Sequence, residues 1–251
     1  MIKKVMISIF LLFIIINFSA AKKPFINTEE VVYDETNNTR GFLAYPRDPG
    51  NYPAVILIHE WWGLNDYIRS RAKDFAGLGY VALAVDLYEG KSTQLPDEAR
   101  TYAGEVRENM EKAFTNLEAA IRFIKKHPQA DPGKTASVGW CFGGGWSYLI
   151  ARNNLGVNAS VIYYGRFNPE DDLTQMRAAI LGNFGEDDVS IKLDSVKEFQ
   201  AALKSLSGRH EIYIYPNAGH AFDNKDGSRY NKKASDLAWK RTIKFLNKIL
   251  R

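Results

Sequence analysis

Two stretches of this chain are dominated by apolar residues. Pro53 to Glu60 (PAVILIHE) and Tyr80 to Tyr88 (YVALAVDLY) are rich in β-branched residues, the pattern of strands covered on both faces. Between them, Asn65 to Leu78 places Tyr67, Ala72, Phe75 and Leu78 at helical spacing and is closed by Gly79. Asp97 to Lys126 predicts two helices, the second marked by a stripe of Ala113, Leu117, Ala120, Ile121 and Ile124. Lys134 to Trp140 reads as a strand that runs straight into a glycine cluster, and Trp146 to Arg152 as helix. Three further strands follow in NASVIYYG, AAILGNFG and HEIYIYP, while Phe42 to Tyr45 supplies a short early one. Helical stretches are expected around Pro169 to Met176, Leu193 to Leu206, and Ala234 to Leu250. Strands that alternate with helices in this way predict an α/β fold, a mostly parallel central sheet with helices on both faces.

The amino terminus departs from that alternation. MIKK is followed by an apolar run from Val5 to Phe18 and by Ser19-Ala20-Ala21, the pattern of a secretory signal peptide over residues 1–21. The run is short for a bilayer span. Cleavage would leave a chain beginning at Lys22, exported to the periplasm or secreted, with no membrane association afterwards; a retained anchor is the alternative. Residues 22–251 have the length of one α/β domain with a substantial core.

Composition narrows the function classes. The 33 Lys and Arg and 29 Asp and Glu are interspersed rather than clustered, which argues against a nucleic-acid footprint. With one cysteine, Cys141, no intramolecular disulfide is available. Nothing in the pattern separates a monomer from a small homo-oligomer.

Ligands of an open parallel sheet collect beyond the carboxyl ends of the strands. Four reactive side chains stand there: Glu60, Cys141, Asp188 and His220. Gly139-Trp-Cys141-Phe-Gly143 has the G-x-nucleophile-x-G form of a strand-to-helix elbow, with small flanking residues where strand and helix backbones meet. Such a turn presents the central side chain at the top of the sheet, and the Phe142 backbone N–H can face a developing oxyanion. In isolation, a lone cysteine in a glycine-rich turn is equally well a small buried apolar residue. His220 lies in a glycine-containing loop after a strong strand and before the last helix, a place suited to a base. Of the acids in GEDD, Asp188 is three residues after Gly185 and three before Ile191, which favours it over Asp187 for orienting the histidine. His59, His127 and His210 have structural settings, and no cofactor or metal is called for.

HEWWGLN (His59 to Asn65), VDLY (Val85 to Tyr88), GWCFGG (Gly139 to Gly144), GEDD (Gly185 to Asp188) and AGHAF (Ala218 to Phe222) occur in order. Together they resemble the dienelactone hydrolase family of cysteine-dependent α/β-hydrolases, from about Val55 to the last helix. The resemblance implies an α/β-hydrolase fold and hydrolysis of a small-molecule ester or lactone through an acyl-cysteine. In it Cys141 is the nucleophile, His220 the base, Asp188 its orienting acid, and Glu60 an extra carboxylate that contacts the thiol and helps form the thiolate when substrate binds. The Trp61 and Phe142 backbone N–H groups form the oxyanion hole. Two arginines that hold substrate carboxylate in the dienelactone enzymes are missing: the chain reads Glu89-Gly90-Lys91 after Tyr88, and has Asn224 four residues after His220. Lys91 or Arg71 and Asn224 are the candidate replacements, so dienelactone itself does not carry over. The competing reading is a non-catalytic small-molecule binding module on the same scaffold; a thiol redox role lacks a resolving cysteine.

Overall fold

A computed structural model describes residues 25–251. Residues 1–21, where a signal peptide is expected, lie outside the described part. Eight strands form one sheet in the order β1-β2-β4-β3-β5-β6-β7-β8. They are β1 (Ile26–Asp34), β2 (Thr39–Pro46), β3 (Tyr52–Ile58), β4 (Val81–Val85), β5 (Ala130–Trp140), β6 (Ala159–Tyr163), β7 (Ala179–Gly185) and β8 (Glu211–Tyr215). From β4 through β8 every pairing is parallel, while β1 and β2 form an antiparallel hairpin that continues the sheet beyond β4. The helices are α1 (Asp66–Gly77), α2 (Pro96–Glu108), α3 (Met110–Lys125), α4 (Phe142–Arg152), α5 (Leu193–Lys204) and α6 (Lys232–Leu250).

Strand alternation divides the core into two layers. Ile56 and Ile58 of β3 face Leu117 and Ile121 of α3, Trp146 and Ile150 of α4, and Phe199 of α5. Val55 and Leu57 face the opposite way, onto the layer of Ile68 and Phe75 from α1 and Phe245 and Leu246 from α6. A strand whose residues are all needed by one layer or the other must be apolar throughout, and β3 is buried from Pro53 to Ile58.

One expectation needs correction, and one element is new. The segment from Pro169 to Met176 forms no helix. Its short polar side chains bind the local backbone instead: Glu170 N–H donates to Asn168 Oδ1 at 3.2 Å, and Thr174 N–H to Asp172 Oδ1 at 2.9 Å. Such bonds compete with a helical ladder. The β1 strand is an addition to the elements read from the sequence. It is an edge strand carrying exposed Glu29 and Glu30, and its clearest inward anchor is Tyr33, whose hydroxyl donates to Asn116 Oδ1 at 2.7 Å.

Candidate active site at the carboxyl ends of the strands

The first turn of α4 starts directly after β5, one residue past Cys141, which takes φ +53° and ψ −111°. That left-handed conformation is strained for a residue with a Cβ. The glycines around it are required by close approach. A Cβ on Gly139 would run into the Gly143 carbonyl, one on Gly143 into the carbonyls of Ile58 and His59, and one on Gly144 into the Tyr163 carbonyl and Gly165. The elbow is thus wedged between β3 and β6, and Cys141 N–H donates to Tyr163 O at 2.9 Å. Tyr164 (φ +40°) and Ala221 (φ +62°) line the same cavity as Cys141, so three of the seven non-glycine residues with positive φ among the described residues meet at one site.

Cys141 Sγ is 3.0 Å from His220 Nε2, and His220 Nδ1 is 2.8 Å from Asp188 Oδ2. Asp188 is 5% exposed; Asp187 points to solvent. The other oxygen of Asp188 accepts from the backbone N–H of Ser190 (2.7 Å) and Ile191 (3.0 Å), which fixes the carboxylate. Because Asp188 can only accept when ionised, Nδ1 carries the proton and Nε2 faces the sulfur. Burial alone would lower the His220 pKa. The hydrogen bonds and charges of Asp188 and Cys141 outweigh it and raise the value to about 10.

Glu60 follows β3 and is 2% exposed. Its hydrogen bonds come from Asn224 Nδ2 to Oε2 at 2.5 Å and from the Tyr164 hydroxyl to Oε1 at 3.4 Å, and no hydrogen bond joins it to the thiol. Burial lifts its carboxyl pKa to about 7, against the opposing pull of Asn224 and of the His220 charge. Neither the Trp61 nor the Phe142 backbone N–H has a protein acceptor among the described residues, and both residues line the cavity beside Cys141.

His59 is a structural residue: Leu87 N–H donates to its Nε2 at 3.2 Å and its Nδ1–H bonds Glu60 O at 2.5 Å. Burial pushes its pKa down, in keeping with a neutral ring.

The candidate substrate contacts fall elsewhere. Lys91 pairs with Glu105 at 3.6 Å and sits 5.2 Å over the Tyr102 ring, in a separate cavity beside the β1–β2 hairpin. Arg71 is locked to fully buried Asp223 at 2.7 Å, and Asn224 is bound to Glu60 rather than open to the cavity. Asp223 also accepts from Trp140 Nε1 (2.8 Å), Tyr67 Oη (3.0 Å) and Ser235 Oγ (2.5 Å). It therefore ties the residue before Cys141 to the loop that carries His220. In their place, the cavity of about 460 Å³ around Cys141 is lined by Arg100, Arg107, Arg166 and Arg229. Sequence reasoning missed these arginines because they come from three distant segments. Tyr164 it could have found, since it follows β6 as Cys141 follows β5.

The chain has recognisable relatives. Residues 39–250 match the model of the dienelactone hydrolase family. A Saccharolobus solfataricus protein assigned by name as a carboxymethylenebutenolidase is 30% identical over 258 residues, covering 88% of this chain and 98% of its own. A Bradyrhizobium protein assigned as a 2-oxo-3-(5-oxofuran-2-ylidene)propanoate lactonase is 30% identical over 82% of this chain and 87% of its own. A Klebsiella pneumoniae structure assigned as a dienelactone hydrolase superposes with a TM-score of 0.78 at 25% identity, covering 89% of this chain and 99% of that one.

Proposed function

This chain belongs to the dienelactone hydrolase family, and from that premise we propose that it hydrolyses carboxylic esters or lactones through an acyl-cysteine formed on Cys141. The observation that carries the proposal is the continuous relay from Asp188 Oδ2 through His220 to Cys141 Sγ, at 2.8 and 3.0 Å. A thiol attacks a carbonyl only as thiolate, and Nε2 stands where it can hold that proton. Asp188 stabilises the resulting imidazolium and keeps the ring in the useful tautomer. Glu60, when ionised, adds a second negative charge near His220.

As the sulfur bonds the carbonyl carbon, the electron pair moves to the carbonyl oxygen, beside the Trp61 and Phe142 N–H groups. A donor aimed at such an oxyanion contributes about 10²–10³ in rate. Collapse of the intermediate breaks the C–O bond, and His220 gives its proton to the leaving oxygen. A water deprotonated by His220 then attacks the thioester, releasing the acid and regenerating the thiol. Turnover of p-nitrophenyl esters by the wild type, with an acyl adduct on Cys141 seen by mass spectrometry under rapid quench, tests the scheme. Turnover that survives alkylation of Cys141 would overturn it.

The pattern in residues 1–21 supports export of this hydrolase, with cleavage after Ala21. Among the described residues no helix is long and apolar enough to cross a membrane.

A further inference from the structure

Cys141 stands between two clefts of opposite character. The first, about 460 Å³, contains His220, Trp61 and the arginines. The second, about 260 Å³, is walled by Met110, Trp146, Tyr148, Leu149 and Phe167. Cys141, Phe142, Arg107 and Arg166 line both, so a carbonyl placed at the sulfur sends its two substituents into different surroundings.

His220 decides which substituent goes where. The leaving oxygen must come within hydrogen-bond reach of Nε2 to receive its proton, and His220 lines only the first cleft. The alcohol portion therefore occupies the arginine cleft and the acyl portion the aromatic one.

The first cleft is open to anions. Arg100 pairs with Asp97 at 2.7 Å, but Arg107, Arg166 and Arg229 have no carboxylate within 4.0 Å among the described residues. The one carboxylate lining that cleft, Glu60, is engaged by Asn224 and Tyr164. Guanidinium groups that line one cleft with no protein carboxylate to neutralise them suit carboxylate or phosphate oxygens; of the three, Arg107 also lies 5.6 Å over the Phe142 ring. The second cleft shares Arg107 and Arg166 but adds no cation of its own. The charged residue it adds is the carboxylate of Asp171, bonded to Arg152 (2.7 Å) and Tyr148 (2.6 Å), so Arg100 and Arg229 weight the positive charge toward the first.

Building on the hydrolase reading above, we infer that the substrates are esters joining an apolar or aromatic acyl group to an alcohol that bears carboxylate or phosphate. The specificity of the site lies in this polarity: anion on the leaving side, apolar surface on the acyl side.

The test is a matrix of kcat/KM values. Acetyl and benzoyl esters of 3-hydroxybenzoate, 3-hydroxyphenyl phosphate and the neutral 3-hydroxybenzamide share similar leaving groups. The wild type should prefer the anionic alcohols over the amide by about tenfold, and the carboxylate and phosphate arms show which anion is favoured. Arg166→Gln/Arg229→Gln, which changes two exposed side chains, should bring that ratio to within about twofold of unity. Leu149→Trp, which fills the aromatic cleft, should lower the benzoyl-to-acetyl ratio. Equal use of neutral and anionic alcohols by the wild type would overturn the inference and leave the hydrolase reading standing. So would an anion preference that survives the double variant. Failure to cleave any of the esters would remove both.

Discussion

Asn224 Nδ2 donates to Glu60 Oε2 at 2.5 Å, and the orientation of the amide is set by its own oxygen, which accepts from Asp226 N–H at 3.0 Å. A neutral amide, not a cation, thus holds the buried carboxylate. With no strong positive partner, burial dominates and the Glu60 pKa rises from 4.5 to about 7.

That rise makes Glu60 a pH-dependent liability. The folded chain keeps a proton that the unfolded chain releases from pH 4.5 upward, so stability falls as pH rises from about 4.5 to about 7 and then levels. The span corresponds to on the order of 3 kcal/mol. Glu60→Gln should lose less stability than the wild type between pH 5 and pH 8 in chemical denaturation. Identical losses in the two proteins would show that Glu60 is not held protonated.

Cys141→Ala should lower kcat/KM for p-nitrophenyl acetate by about 10⁴-fold or more, with unfolding free energy changed by no more than about 1 kcal/mol, because alanine tolerates the same small space. The His220 titration, raised to about 10 by Asp188 and by the hydrogen bond and charge of Cys141, should move to lower pH in this variant. An imidazole NMR titration unchanged by loss of the sulfur would refute the pairing.

Asp188→Asn separates orientation from loop support. Asparagine can still accept from Ser190 and Ile191 N–H, so the loop should persist. The charge and the tautomer control are lost, and kcat should drop by about 10³–10⁴. A near-normal rate would exclude Asp188 from the relay.

Arg71→Met leaves Asp223 buried and unpaired, which should cost about 3–5 kcal/mol in unfolding experiments. The ratio of KM values for anionic and neutral esters should stay as in the wild type. A selective rise in KM for anionic esters would mean that Arg71 reaches the substrate after all.

Expression of the full chain with its own amino terminus should yield protein beginning near Lys22, read by N-terminal sequencing of the exported fraction. Intact Met1 in a membrane fraction would indicate a retained anchor.

The inner strands were legible because burial on both faces leaves β3 and β4 no polar positions, and the elbow because its glycines are demanded by backbone contacts. That Asp188 rather than Asp187 contacts His220 could be anticipated because its spacing from Gly185 and Ile191 is local. The β1 strand was not: at a sheet edge, Glu29 and Glu30 face solvent and erase the apolar signal. The segment from Pro169 to Met176 has polar residues that satisfy helix-like composition, yet their side chains capture the backbone in turns.

The sequence by itself determined the α/β class, the order of Glu60, Cys141, Asp188 and His220, and the family resemblance, since each depends on neighbours a few residues away. Tertiary structure alone decided that Lys91 and Arg71 are engaged elsewhere, that Asn224 grips Glu60 across 164 positions, and that arginines from α2, the β6–β7 segment and the loop after His220 surround the thiol. Those outcomes depend on distances between side chains far apart in the chain. Such distances exist only once the sheet brings its carboxyl ends together.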